Sequence, residues 1–353
     1  MRDVAIIAYA QSDCIGDVGA LNEVELIMPV VKKVLADTGL NSVQNVGFTC
    51  SGSCDYQQGG AFAFVLGVDA LGAVPPIKES HVEMDAAWAL YESWLKIQMG
   101  AADSALIYGF GKSSPGDLPI VLSKQLDPYY SAPLALDSIS MAAMQAKMML
   151  DAGDITEADM AQVVSDSRSK AKTNPYAQLK GDFTVEQLLA EETYLSPLRK
   201  HDCCPVSDGA SAMIICTVEK AKELGKPYAL IKGIDHRIES GHLGLRDLRV
   251  STSTKIAAKA AGVAKGPVEV AEIYAPFSHQ QILLQQALGL DENCDVNPSG
   301  GVLAGNLMMA SGLSRIGEVA QRIIEGQYKR GVAHATSGAC LQQNMVVVLE
   351  GAE

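Results

Sequence analysis

Aromatic residues are scarce in this chain. They make up 5% of its 353 residues, with six Phe and two Trp, so the interior has to be built from aliphatic, alanine and methionine side chains. Positive charge is scarce too: 28 Lys and Arg face 41 Asp and Glu, for a formal charge of −13. That balance excludes an extended surface for nucleic acid or an anionic membrane. It leaves room for an anionic ligand held by main-chain amides at a helix N-terminus. No apolar run approaches the roughly 20 residues of a membrane span. The opening MRDVAIIAYAQSD has no charged, apolar and cleavage regions in succession, so no signal peptide is read there and a cytoplasmic protein is expected. Among eight cysteines, only CSGSC (Cys50–Cys54) has ligand-like spacing. No second pair completes a zinc site, so no metal is expected and the thiols are read as reduced.

What is present suits a soluble globular protein: 48% of residues are hydrophobic and 20% charged. The length fits two domains, or two halves around a shared core. A pattern occurs twice. NVGFTCSG (Asn45–Gly52) reads as a short strand, followed by a helix from about Met84 and a strand-like SALIYGFGKSS (Ser104–Ser114). Later, VEVAEIYAPFSHQ (Val268–Gln280), NPSGG (Asn297–Gly301), a helix over Met308–Gly326 and RGVAHATSG (Arg330–Gly338) repeat the order. The first helix, in ESHVEMDAAWALYESWLKIQMG (Glu79–Gly100), is apolar nearly all round, so it belongs inside the protein. One such helix per half predicts an α/β fold in five layers, αβαβα, with the two helices in the middle and mostly parallel sheets on either side. The halves are read as 1–225 and 226–353, with a covering insertion at about 114–200.

The sharp start of the first apolar helix has neither cysteine nor serine; it carries Glu83 and Asp85. This decides the chemistry once the wider pattern is considered. VAIIAYAQSD, ALIYGFGKSS, PVSDGASAMIICT (Pro205–Thr217), EIYAPFSHQ and NPSGGVLAGNLMMASG together resemble the thiolase superfamily, in the right order and over nearly the whole chain. The SDGA stretch is the most specific match. By that resemblance a nucleophilic cysteine would precede the first apolar helix. Counting back from Ala89–Leu90 puts Glu83 there, and another offset gives Asp85. Tyr274 stands where thiolases carry His or Asn, and Asn306 stands about where their GHP histidine belongs. The usual late cysteine falls near Gly338 or Cys340.

The lineage that looks most similar is the lipid-transfer-protein-like, sterol-carrier-protein-x-type homologues of bacterial steroid catabolism, which include acyl-CoA retro-aldolases. Without a thiolate there is no acyl-enzyme. Retro-aldol cleavage of a β-hydroxyacyl-CoA gives the enolate that a thiolase site stabilises, and needs only a base, an acid and oxyanion donors. The resemblance therefore implies a lyase that cleaves a branched β-hydroxyacyl-CoA, a steroid side-chain thioester, to a ketone and a short acyl-CoA. It further implies a homodimer, a small zinc-ribbon and OB-fold partner protein, and no cofactor beyond the coenzyme A of the substrate. Two rivals are a non-catalytic lipid or acyl-CoA carrier or scaffold subunit, and a residual acyltransferase using Cys340.

Each candidate also has a plainer reading. Tyr274 is the expected proton-transfer residue, or a hydrogen-bonded core tyrosine. His279 assists it, or is a solvated loop histidine. Glu83 and Asp85 are a base, or caps of a helix start; His81 stands ready to pair with either. Asn306 donates to the thioester oxygen, or caps a helix. His334 and Gly338 belong to the last loop of the second half, against a purely structural role. Met141, Met144, Met148 and Met149 wall a sterol pocket, or pack a core. DPYY (Asp127–Tyr130) lines a pocket, or turns the chain. No Arg and Lys cluster is assignable to the nucleotide phosphates of coenzyme A.

Overall fold

The computed structural model describes residues 2–40, 42–134 and 136–352. Its strands are β1 (Val4–Gln11), β2 (Phe48–Gly52), β3 (Glu79–Val82), β4 (Ser104–Gly111), β5 (Thr193–Leu195), β6 (Leu198–Arg199), β7 (Gly209–Thr217), β8 (Ala229–Ile238), β9 (Val270–Ile273), β10 (Asp295–Val296), β11 (Arg330–Ser337) and β12 (Gln343–Gly351). β5 and β6 pair only with each other; the rest run in the order β10-β9-β11-β12-β8-β1-β7-β4-β2-β3.

Divided between β8 and β1, that order is the same sheet twice. β2 lies parallel between β3 and β4, as β9 lies parallel between β10 and β11. β7 lies antiparallel between β4 and β1, as β12 lies antiparallel between β11 and β8. The two sheets touch edge to edge through Ala5 opposite Leu230 and Ile6 opposite Ala229. The repeat read from the sequence is thus a repeat of topology.

Side-chain alternation along the strands builds the layers. On β4, Ala105 and Ile107 face one core while Leu106 and Tyr108 face another. On β12, Met345 and Val347 face that shared core while Val346 and Val348 face a third. Strands buried on both faces carry continuous apolar runs, which explains MIIC and MVVVL. The shared core holds both central helices, Ala86–Gln98 and Ser311–Ile324. Helix Glu23–Thr38 covers one sheet, and helices Thr252–Ala261 and Ser278–Leu288 cover the other. These are the five layers. Each large aliphatic side chain buried there contributes roughly 1.5–3 kcal/mol.

The central helices pack tightly because glycines line their approach. A Cβ on Gly52, at the end of β2, would sit 2.5 Å from the amide nitrogen of Ala86. A Cβ on Gly312 would sit 2.5 Å from a carboxylate oxygen of Asp85. The start of the first central helix is therefore pressed against β2 of its own half and the start of the second against Asp85 of the opposite half, and a cavity opens beside that junction. Among the described residues no helix is long and apolar enough to cross a membrane.

Candidate active site

Asp85 is the residue before the first central helix and caps it: Oδ1 accepts from the amide of Ala87 at 2.7 Å. A helix needs an acceptor there because its first amides have no partner of their own. What is unusual is the second set of donors. Oδ2 accepts from the amide of Gly312 at 2.7 Å, and Oδ1 also accepts from that of Leu313 at 3.2 Å. Both belong to the first turn of the other central helix, so one carboxylate caps two helices. Asp85 is 1% exposed. Burial pushes its pKa up to about 7, against the lowering effect of the three amides and of Arg315.

Tyr274 follows β9 directly, and its amide donates to the carbonyl of His334 on β11 at 3.2 Å. Its hydroxyl donates to Oδ1 of Asn306 at 3.0 Å and approaches the carbonyl of Met308 at 3.4 Å. Burial, with the charge of Asp85 next in weight, holds its pKa well above the usual value for a phenol. Oδ1 of Asn306 also accepts from Ser311 Oγ at 2.8 Å and from the amide of Met308 at 3.3 Å. Three donors on one oxygen fix the amide's orientation. Its Nδ2 then faces only Cys204 Sγ at 3.2 Å and Met308 Sδ at 3.3 Å. Sulfur is a weak acceptor, so this N–H pair remains available to an oxygen in the cavity. Met308 has φ 49°, a left-handed conformation costly for a side chain of this size; it turns the chain so that Asn306 and Ser311 meet.

Asp85, Tyr274 and Asn306 line one cavity of about 1000 Å³. Leu118, Leu122, Ile139, Met141 and Phe277 give it an apolar wall, and Gly338 to Gln342 close another side. Arg246 holds that last loop by donating to the carbonyls of Ala339 at 2.7 Å and Cys340 at 2.9 Å. Gly338 has φ 75°, which glycine adopts without strain.

The structure separates the other expected residues from this group. Glu83, placed at the nucleophile position by counting along the sequence, is exposed; its carboxylate accepts from the amide of Asp55 at 2.6 Å and it does not line the cavity. His81 stacks on Phe64 with ring centroids 4.5 Å apart and meets Ser51 Oγ at 3.0 Å, also away from the cavity. His279 is not in a loop: it lies in helix Ser278–Leu288, fully buried, with Nε2 3.2 Å from Gln145 Oε1. Burial lowers its pKa to about 3. His334 is likewise fully buried, bonded to Asn344 Oδ1 at 3.0 Å, with its pKa lowered to about 4 by burial; its link to the site is the main-chain bond to Tyr274. The methionines divide, with Met141 at the cavity, Met149 in a core, and Met144 and Met148 on the surface. In DPYY, Asp127 lines the cavity while both tyrosines are exposed.

No protein-family model matches the chain. Relatives are found by sequence. The acetyl-CoA acetyltransferase of Methanocaldococcus jannaschii is 27% identical over 90% of this chain and 89% of its own length. Sterol carrier protein 2 of Gallus gallus is 24% identical over 82% of this chain, which spans 59% of that longer protein. Among solved structures, human mitochondrial 3-ketoacyl-CoA thiolase in complex with CoA superposes with a TM-score of 0.80 at 16% identity, covering 99% of this chain and 98% of that one. The Ltp2–ChsH2(DUF35) aldolase gives 0.80 at 18% identity, with the same coverages. The relatives are thiolase-superfamily proteins, and the fold of this chain is the thiolase fold.

Proposed function

We propose that this protein is a carbon–carbon lyase that cleaves a branched β-hydroxyacyl-CoA by a retro-aldol reaction, releasing a ketone and a short acyl-CoA. The observation that carries this reading is the buried carboxylate of Asp85, with a pKa of about 7, at the head of the central helix in one cavity with Tyr274 and Asn306. A carboxylate so placed takes up and returns protons near neutral pH. In this reading Asp85, not Glu83, is the base. It removes the β-hydroxyl proton; the bond between the α- and β-carbons breaks, and its electron pair passes into the thioester as an enolate. Asn306 Nδ2 donates to the thioester oxygen as that charge forms. Tyr274, whose high pKa suits an acid, protonates the α-carbon, and Asp85 returns its proton to the tyrosinate. No covalent intermediate is needed.

The apolar wall and the cavity volume of about 1000 Å³ suit a steroid ring system as the part that becomes the ketone. The DUF35 component in the name of the Ltp2–ChsH2(DUF35) aldolase supports a DUF35 partner protein. Exposed Phe62, Val65 and Leu66, in the half that carries the sheet-edge strand β3, support a homodimer. The test is mass spectrometry after mixing the protein, alone and with an OB-fold partner, with a tertiary β-hydroxy steroid side-chain CoA thioester. Ketone and short acyl-CoA are expected. A thioester bound but unchanged in both mixtures overturns the lyase and favours a carrier.

A further inference from the structure

Among the described residues one buried basic side chain at the cavity has no carboxylate bonded to it. Arg168 lies in the last turn of helix Glu157–Lys170, is 6% exposed and lines the cavity. Its Nη1 donates to the carbonyl of Leu303. Among the described residues its Nε and Nη2 have no hydrogen-bond partner and it forms no ion pair. The acid whose charge acts on it most, Glu191, also lines the cavity, but it is bound by His201 Nδ1 at 2.8 Å and makes no bond to the guanidinium. Burial lowers the pKa of Arg168 to about 10, so it remains a cation at neutral pH. A buried cation with no carboxylate bonded to it is costly to the fold. The tie to Leu303 uses a single N–H and does not account for a guanidinium at this place.

The position narrows what completes the pair. Arg168 is close enough to Cys204 to pull down that thiol's pKa, which burial pushes up to about 11, and Cys204 Sγ is 3.2 Å from Asn306 Nδ2. Lys200 and Tyr194 line the same cavity from exposed positions, whereas Arg168 is inside, beside the residues assigned to the reaction. The free edge, Nε with Nη2, is the side of a guanidinium that takes the two oxygens of a carboxylate together.

We propose that Arg168 receives a carboxylate carried by the acyl part of the substrate, so that the thioesters this protein prefers are those of acids with a second acid group. The inference rests on the acyl-CoA reading above, but not on the bond that is cleaved. It is tested by calorimetric titration of the full chain with unreactive thioesters: succinyl-, glutaryl- and adipyl-CoA against butyryl-, valeryl- and hexanoyl-CoA. At least one acid-bearing thioester is expected to bind about tenfold or more tightly than its neutral match, the ratio a charge-assisted contact supplies. In Arg168→Gln that ratio falls to about one. Arg168→Lys, which keeps the charge and loses the fork, retains part of it; thermal melting of both variants checks that they fold. Equal binding of every pair to the wild-type protein, or a ratio unchanged in Arg168→Gln, overturns the carboxylate alone. Binding of none of the six overturns the acyl-CoA reading and this inference with it.

Discussion

The hydroxyl of Tyr274 and the side-chain oxygen of Asn306 lie 3.0 Å apart and buried, at sequence positions 32 residues from one another. The tyrosine can only donate in this bond, because the asparagine's orientation is fixed by two further donors. Tyr274→Phe removes a proton while leaving Oδ1 of Asn306 with those two bonds. We expect kcat for thioester cleavage to fall by about 10²-fold or more, with a stability loss near 1 kcal/mol. Steady-state rates and thermal melting separate the two effects; an unchanged rate removes Tyr274 from the mechanism.

The proposed role of Asp85 carries a pH dependence. With Asp85 as base, kcat/KM rises as pH increases through about 7 and then levels. Asp85→Asn is expected to lower the rate by about 10²-fold and to abolish that limb. The same group has a stability signature. Between about pH 4 and 7 the folded protein keeps a proton that the unfolded chain has released, so this carboxylate's contribution to stability declines as pH rises through that window. The asparagine variant lacks that decline, which denaturant titration at several pH values will show.

The buried histidines act in the opposite sense. His279 and His334 have pKa values of about 3 and about 4 in the folded protein, so below the unfolded value near 6.5 the unfolded chain binds more protons. Their contribution to stability is present above that pH and is lost as pH falls toward 4, at about 1.4 kcal/mol per pH unit for each histidine. His279→Leu should make the acid limb shallower by about one such increment. Gln145 Oε1 keeps its bond from Gln280 at 2.8 Å, so the variant need not open a polar gap. An unchanged acid limb would mean that His279 is protonated in the folded state.

Cys340 separates a lyase from an acyltransferase. Its thiol contacts the carbonyl of Met141, is 7% exposed, and has its pKa pushed up to about 11 by burial. At neutral pH it is almost entirely protonated and a poor nucleophile. Cys340→Ser is expected to change turnover by less than about twofold. Loss of activity in that variant, together with mass-spectrometric detection of an acylated Cys340 in the wild-type protein, would favour acyl transfer.

The layers were legible because the first central helix, apolar nearly all round, has to be enclosed, and because strands buried on both sides read as unbroken apolar runs. The second central helix, which buries Arg315 and Glu318, was placed by the repeated order alone. The site was legible only in part. Tyr274 and Asn306 stand at ends of recognisable segments, and the structure brings them together. Glu83 and Asp85 are both acids at a helix start, and local pattern cannot say which one turns inward. The deciding donors, Gly312 and Leu313, come from the opposite half, 227 and 228 residues away. His279 looked like a loop residue because Phe277 and Ser278 suggest a strand end; tertiary packing makes that point the start of a helix and buries the ring. Arg168 gave no signal at all, since the acids that would ordinarily answer it are common in the surrounding sequence.

The acidity of Asp85 is set first by burial, and then by main-chain amides that pull against it, two of them lent by the opposite half of the molecule. A single inserted or deleted residue in the turn between Leu307 and Ser311 would rotate those amides away and leave the acid unbound. At that turn, chain length matters more than side-chain identity, and the two halves cannot vary their lengths independently.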